Sequence, residues 1–314
     1  MIIVRFTSGL GNQLFQYNLY SLLREKFPQT RVLADVNWFA RFSEHQGFEL
    51  ERLFKREDNP EFAFERASDW DIIRCSGRIP NRIPGRAGDI WQYILRVPHR
   101  FLKLNAVKYA SGRIDQTGFE DNREIYDRLM AIDPEKDYYI TGFFIEEVYY
   151  RDRLKKLQEQ LVFSPLTGKN ADYEAMIREG YSVSLHVRRG DYLSPKYSGS
   201  FIALSQDYYK RAVEGVYENN KNARFFIFSD DPDYVRENFG FVENAVYVRG
   251  NTGRDSYRDL QLMSLCRENI TANSTFSTWA GLLNKNKDAR VYYPREYMRE
   301  KDSEIKTMEG WIRL

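Results

Sequence analysis

The chain has 314 residues, a length that suggests two domains at roughly 150 residues each. Its 42% apolar and 29% charged content excludes a disordered or fibrous chain. With 47 Lys+Arg against 45 Asp+Glu the net charge is +2, without the large basic excess of a general nucleic-acid binder.

No stretch approaches the ~18 uncharged apolar residues of a transmembrane helix. The opening run MIIVRF carries no basic leader or signal-peptide core. Cys75 and Cys266 are the only cysteines, too few for a disulfide framework or a four-thiolate zinc site. A reducing, cytoplasmic setting is expected.

In chain order, residues 1–6 read as a buried strand. The Gly-rich turn Thr7-Ser8-Gly9-Leu10-Gly11 follows, then helical spacing at Leu14, Phe15, Leu19, Leu22 and Leu23. Residues 31–34 read as a second strand, so the chain opens as α/β. Residues 40–135 mix short apolar patches with prolines and glycines. Within them, 74–113 hold nine Lys/Arg against the single acid Asp89, a net +8. Residues 138–144 read as a strand and 145–160 as a helix. Ser164-Pro165-Leu166-Thr167-Gly168 reads as the crossover to a second domain, giving expected domains 1–165 and 166–314. Strands follow at 182–188, 224–229, 245–248 and 268–273. Helical patterns stand between them at 206–219, 232–239 and 256–266, and a further helix is expected from near Ser277 through Leu283. Alternating strands and helices imply a parallel sheet.

Four polar turns fall at strand ends. Gly9-Leu10-Gly11-Asn12-Gln13-Leu14 sits between strand and helix, the geometry that presents backbone N–H groups to phosphate. Asp35, about 20 residues on, stands where a dinucleotide site has its ribose acid, but Leu14 occupies the third glycine position; the alternative is a tight turn with a well-packed helix. His186-Val187-Arg188-Arg189-Gly190-Asp191-Tyr192 closes the strand SVSLHVR. Alternation puts His186 and Arg188 on one face, with Arg188 at the carboxyl end, where open α/β sheets bind ligands. An arginine there forks two N–H groups onto phosphate oxygens. Asp191 either holds an arginine or acts as a base, and Arg189, on the opposite face, is expected in a structural pair with Asp191. The alternative is a surface Arg–Asp pair beside a half-buried histidine. Phe228-Ser229-Asp230-Asp231 offers a carboxylate for a base or ribose, an Asp pair for a divalent metal, or a helix N-cap before Pro232. Asn273-Ser274-Thr275-Phe276-Ser277-Thr278-Trp279 offers hydroxyl and backbone donors to phosphate, or ordinary Ser/Thr capping.

Three blocks, GLGNQLFQY (9–17), HVRRGDY (186–192) and 259–283 with its NSTFSxW core, resemble the α1,2-fucosyltransferases of glycosyltransferase family 11, bacterial type. The resemblance spans nearly the whole chain. It implies a GT-B-like fold, two Rossmann-like α/β domains facing each other across a cleft, with the acceptor on the N-terminal side and GDP-fucose on the C-terminal side. It further implies inversion, no metal ion and no cofactor beyond GDP-fucose as donor co-substrate. The acceptor it implies is a terminal β-galactoside on an oligosaccharide or lipid-linked glycan. Carried over by position, Arg188 holds the donor pyrophosphate, His186 and Asp231 lie near guanine, and Ser274, Thr275 and Phe276 line the phosphate and base pocket. Gly11 and Asn12 approach the pyrophosphate or reacting sugar. Arg188, Asn12 and Asp191 are the expected catalytic residues, with Glu146 and Glu147 as further base candidates. Phe144–Tyr149 departs from the bacterial pattern and leaves acceptor recognition open. Two other readings are a metal-dependent nucleotide-sugar transferase using Asp230 and Asp231, and a non-catalytic polyanion- or membrane-surface-binding protein working through 74–113. The same basic segment gives the enzyme reading a weak peripheral membrane contact.

Overall fold

The computed structural model describes residues 1–42, 45–54, 62, 64–77, 79–91, 111–116, 122–195, 197–299 and 307–314. The chain divides into two compact units, Met1–Tyr150 and Arg151–Leu314. The Ser164–Gly168 segment therefore lies inside the second unit.

The first unit carries β1 (Ile2–Arg5), α1 (Leu10–Lys26), β2 (Val32–Asp35), α2 (Asp69–Ser76), β3 (Ser111–Asp115), α3 (Asn122–Met130) and β4 (Asp137–Thr141). Its sheet runs β2-β1-β4-β3, parallel throughout. Ile2, Ile3 and Val4 are buried, as a central parallel strand covered on both faces requires. Apolar α1 positions Leu14, Phe15, Leu19 and Leu23 are fully buried. The chain leaves β1 for β2 on one side and returns through β4 on the other, so the sheet reverses direction between β1 and β4. Such reversals open ligand crevices at the carboxyl ends of strands.

The second unit carries α4 (Leu154–Gln160), α5 (Lys169–Arg178), β5 (Ser182–Val187), α6 (Gln206–Asn219), β6 (Arg224–Ser229), α7 (Pro232–Asn238), β7 (Ala245–Tyr247), α8 (Tyr257–Leu265), β8 (Glu268–Ile270), α9 (Thr275–Leu283), β9 (Val291–Tyr293) and β10 (Ile312–Arg313). Its parallel sheet runs β10-β9-β8-β5-β6-β7. Here the order reverses between β5 and β8. Val183, Leu185 and Val187 of β5 pack with Phe225, Ile227, Tyr209, Val213 and Ile270 into one core. Burying each such side chain is worth about 1.5–3 kcal/mol, which fixes the strand register that places the polar ends.

The expected α/β class and parallel sheets are present in both units. The helix expected at 145–160 forms only over its last part, Leu154–Gln160. Two 3₁₀ turns, Glu147–Tyr149 and Arg151–Arg153, precede α4. Side chains instead tie down the backbone that enters this stretch. Gln116 Oε1 accepts from the N–H groups of Phe143 and Phe144, and Asn18 Nδ2 donates to the Tyr149 carbonyl.

Candidate active site

In the second unit the site is built by the turns after β5, β6 and β8. β5 and β6 pair in parallel with Val187 opposite Ser229. The next residues therefore meet as two rungs of opposite charge. Arg188 Nε lies 3.2 Å from Asp230 Oδ2, and Arg189 Nε lies 3.4 Å from Asp231 Oδ2. Asp230 Oδ1 also accepts from the Arg189 backbone N–H at 2.9 Å. A 3₁₀ turn at Asp191–Leu193 then brings Asp191 back, and Arg188 Nη2 donates to its Oδ2 at 2.6 Å. Burial acts against the Arg188 charge, but the two carboxylates outweigh it and raise its pKa above the ordinary arginine value.

This arrangement corrects the expected pairing. Arg189 does not pair with Asp191; that carboxylate belongs to Arg188. Arg189 faces Asp231 instead, and its guanidinium lies 3.7 Å over the centre of the Tyr234 ring. The register explains the exchange, because a residue beyond β5 meets the residue beyond β6 at the same level. Asp231 is also the N-cap of α7, its Oδ1 accepting from Tyr234 N at 3.2 Å. Both its oxygens therefore have contacts within the second unit.

His186 is buried and points away from the apolar face of β5, as the alternation predicts. Its ring centre lies 5.8 Å from that of Phe276, across the point where the sheet order reverses. Burial first, and then the charge of Arg188, push its pKa down to about 3, so the ring is neutral near pH 7. Among the described residues its Nδ1 is buried without a hydrogen-bond partner. Ser274 caps the amino end of α9 through its backbone alone, its hydroxyl taking no cap bond. Ser274, Thr275 and Phe276 are all half-buried. The expected α9 start near Ser277 moves to Thr275, because Ser277 Oγ accepts from Ala272 N and serves the turn structurally. The structure thus brings His186, Arg188, Asp191 and Phe276 of the sequence reading to the ends of neighbouring strands, with Ser274 and Thr275 beside Phe276.

Gly11 and Asn12 lie in the first unit, inside the first turn of α1 rather than in the turn before it. The other polar residues of that block are structural pins. Gln13 holds the carbonyls of Ser8 and Gly47 and the Glu49 N–H. Gln16 holds Thr7 N and the Gly142 carbonyl, bridging the turn after β1 to the turn after β4. Asn12 is half-buried and makes no such bond among the described residues. Sequence reasoning missed these pins, since nothing local marks partners that stand up to 126 residues away. It also missed two half-hidden carboxylates. Glu49 is buried beside Arg52, and burial outweighs that arginine and pushes its pKa up to about 7. Asp259 on α8 is pushed up to about 7 by burial, with the Asn251 amide acting the other way.

Both thiols are buried and free, and burial raises the Cys75 pKa to about 12. Among the described residues no group of three or more His, Cys, Asp or Glu is disposed to hold a metal ion. Among them too, no helix is long and apolar enough to cross a membrane. Much of the basic segment 74–113 lies outside the described residues. Within the described part Arg74 pairs with Asp137, and Arg82 with Asp69.

Both units are thus parallel-sheet α/β, and the second holds an arginine and a buried histidine where its strand order reverses. Residues 95–314 match the sequence model of Glycosyl transferase family 11, and the chain belongs to that family of glycosyltransferases. It is 28% identical to the O-antigen biosynthesis glycosyltransferase WbnK of Escherichia coli, over 98% of each chain. It is also 28% identical to an alpha-1,2-colitosyltransferase of Escherichia coli, over 100% of this chain and 99% of that one. A galactoside alpha-(1,2)-fucosyltransferase 1 of Leontopithecus chrysomelas shares 25% identity over 44% of this chain and 37% of its own. The structure of NodZ alpha-1,6-fucosyltransferase soaked with GDP-fucose is similar with a TM-score of 0.48, at 15% identity, covering 90% of this chain and 91% of that one.

Proposed function

We propose that this chain is an inverting galactoside α1,2-fucosyltransferase. It moves L-fucose from GDP-β-L-fucose to the 2-hydroxyl of a terminal β-galactoside, on an oligosaccharide or a lipid-linked glycan. The observation that carries the reading is Arg188, held at the carboxyl end of the central strand with part of its guanidinium uncommitted, beside the unpartnered Nδ1 of buried His186.

Breaking the sugar–phosphate bond leaves an oxocarbenium-like sugar and a GDP that gains negative charge. Arg188 and the N–H groups opening α9 meet that charge as it develops. His186, Ser274, Thr275 and Phe276 hold the nucleotide. Gly11 and Asn12 keep the role at the pyrophosphate or sugar that the resemblance gives them, with the first unit on the acceptor side. Asp191, Glu146 and Glu147 are the carboxylates proposed to take the acceptor proton. Asp230 and Asp231 face arginines, so the cationic charge a divalent metal would bring is already supplied by Arg188 and Arg189. We therefore propose a metal-independent reaction without a further cofactor. The two buried thiols support a reducing, cytoplasmic setting. A weak peripheral membrane contact through 74–113 remains part of this reading, resting on that segment's sequence.

A second donor is favoured by the full-length similarity to an alpha-1,2-colitosyltransferase: the 3-deoxy counterpart of fucose, colitose, carried on GDP. The test offers GDP-fucose and GDP-colitose in parallel to β-galactoside-terminated glycans, with and without EDTA, and reads the product linkage by NMR. An α1,2-fucosyl product that survives EDTA is the expected result. Exclusive use of GDP-colitose moves the assignment to that donor. Loss of transfer in EDTA, restored by Mn²⁺ or Mg²⁺, overturns metal independence.

A further inference from the structure

Two carboxylates flank Arg188, and the structure holds them differently. Asp230 uses both oxygens: Oδ1 accepts the Arg189 backbone N–H at 2.9 Å and Oδ2 faces Arg188 Nε at 3.2 Å. Its backbone is fixed by the β5–β6 ladder, which ends one residue earlier at Val187 and Ser229. It is also pressed against Gly190. A Cβ at position 190 would sit 3.2 Å from Asp230 Oδ2 and 3.3 Å from its Cγ. Asp191 is held loosely by comparison. It stands on a single 3₁₀ turn, bonds Arg188 Nη2 through Oδ2, and has a buried Oδ1 with no partner.

Chemistry separates the two contacts further. A guanidinium carries five N–H groups: one on Nε and two on each Nη. Asp230 lies on the Nε side, the root of the fork, as a charge contact 3.2 Å away, held in place by its own bond from the Arg189 N–H. Asp191 takes one N–H of the Nη edge, the edge that chelates a phosphate oxygen pair. A diphosphate arriving at that edge competes with Asp191 and not with Asp230.

We infer that Asp230 is the positioning residue of the donor site, fixing the Arg188 guanidinium through Nε. Asp191 is the exchangeable carboxylate that the Nη edge releases when the donor diphosphate binds. Gly190 is the residue whose missing side chain lets Asp230 reach this position. The inference rests on the proposed reading of the site as one for a nucleoside diphosphate sugar.

The signs of two variants test it. By charge alone, removing either carboxylate favours an anion. Asp191→Asn removes the competitor, so GDP binding measured by calorimetry on the full chain should tighten, by roughly threefold or more. Asp230→Asn removes a negative charge of the same size yet presents an amide N–H to Arg188 Nε. GDP binding should weaken at least tenfold, with the thermal unfolding midpoint near that of the parent. Gly190→Ala gives a second view that keeps every charge in place, and it should weaken GDP binding by crowding Asp230. If Asp230→Asn does not fold, Gly190→Ala decides alone. Tightening in both Asn variants, or a Gly190→Ala protein that binds GDP like the parent, overturns the positioning role. Equal weakening in both Asn variants overturns the division of labour. A parent protein that binds none of GDP, UDP or ADP instead overturns the donor-site reading, and the inference falls with it.

Discussion

Arg188 and Arg189 are adjacent and identical in type, yet their surroundings assign them different work. Arg188 keeps N–H groups uncommitted at the site, while Arg189 lies against the Asp231 carboxylate and the face of Tyr234. Lysine keeps the charge but loses the planar fork. Arg188→Lys should therefore fold like the parent and lose roughly 10²-fold in kcat/KM, the size of one lost transition-state donor. Because the leaving GDP gains charge, kcat itself should fall with it. Arg189→Lys gives up a stacked guanidinium worth about 1 kcal/mol, which lowers the melting temperature by about 2–4 °C in a domain of this size. Its kcat/KM should stay within a few-fold of the parent. Paired kinetics and melting curves check both, and an activity loss at 189 as large as that at 188, with stability intact, would refute the division.

At the scale of the element, strands were legible where tertiary structure and local pattern agree. The apolar runs of β1, β5 and β6 are central strands, and they stand where the sequence puts them, within a residue. The placement of His186 and Arg188 followed from alternation along β5. What alternation did not reveal was which acid each arginine meets, since that depends on the β5–β6 register. β9 and β10 were not read either, being too short to show a period, and β3 lies in the 40–135 stretch where prolines and glycines interrupt the pattern. The region after β4 was misread because its order comes from side chains and from one glycine. Gly142 has φ of +152°, and a Cβ there would stand 2.7 Å from Gln116 Oε1 and 2.8 Å from the Phe144 ring. That Gln116 oxygen is the one that ties down the N–H groups of Phe143 and Phe144. Gly142→Ala should thus break the turn and destabilise the first unit by on the order of 3 kcal/mol, combining backbone strain with overpacking. A thermal melt checks this, and a variant within 1 °C of the parent would show that the turn tolerates a side chain, leaving the 145–160 departure without this explanation.

Across the whole molecule, three buried groups give stability a pH dependence whose direction follows from their environments. His186 is held near 3 by burial and Arg188, far below its unfolded value of 6.5. Between about pH 3 and 6.5 the unfolded chain binds more protons at this residue, so its contribution to stability rises with pH there and is flat above. Glu49 and Asp259 act oppositely. Burial holds both near 7 when folded, against 4.5 and 3.8 for the free groups. From about pH 4 to 7 the folded chain binds more protons at these two, so stability falls as pH rises and does not recover above 7. Two falling contributions outweigh one rising one through this range, and the three groups together place the optimum on the acidic side, near pH 4–5. Glu49→Gln isolates one of them. It keeps the shape of the side chain and removes the ionisation, so its melting temperature should exceed that of the parent by several degrees at pH 8 and match it at pH 5. The ceiling is about 3 kcal/mol, from 1.4 kcal/mol for each tenfold change in proton affinity. Arg52 Nη2, 2.8 Å from Glu49 Oε2, pulls the other way and sets the measurement that decides. If the Gln variant is less stable than the parent at pH 8, the ion pair with Arg52 dominates burial, and Glu49 is a charged anchor of its turn rather than a carboxyl kept neutral beneath it.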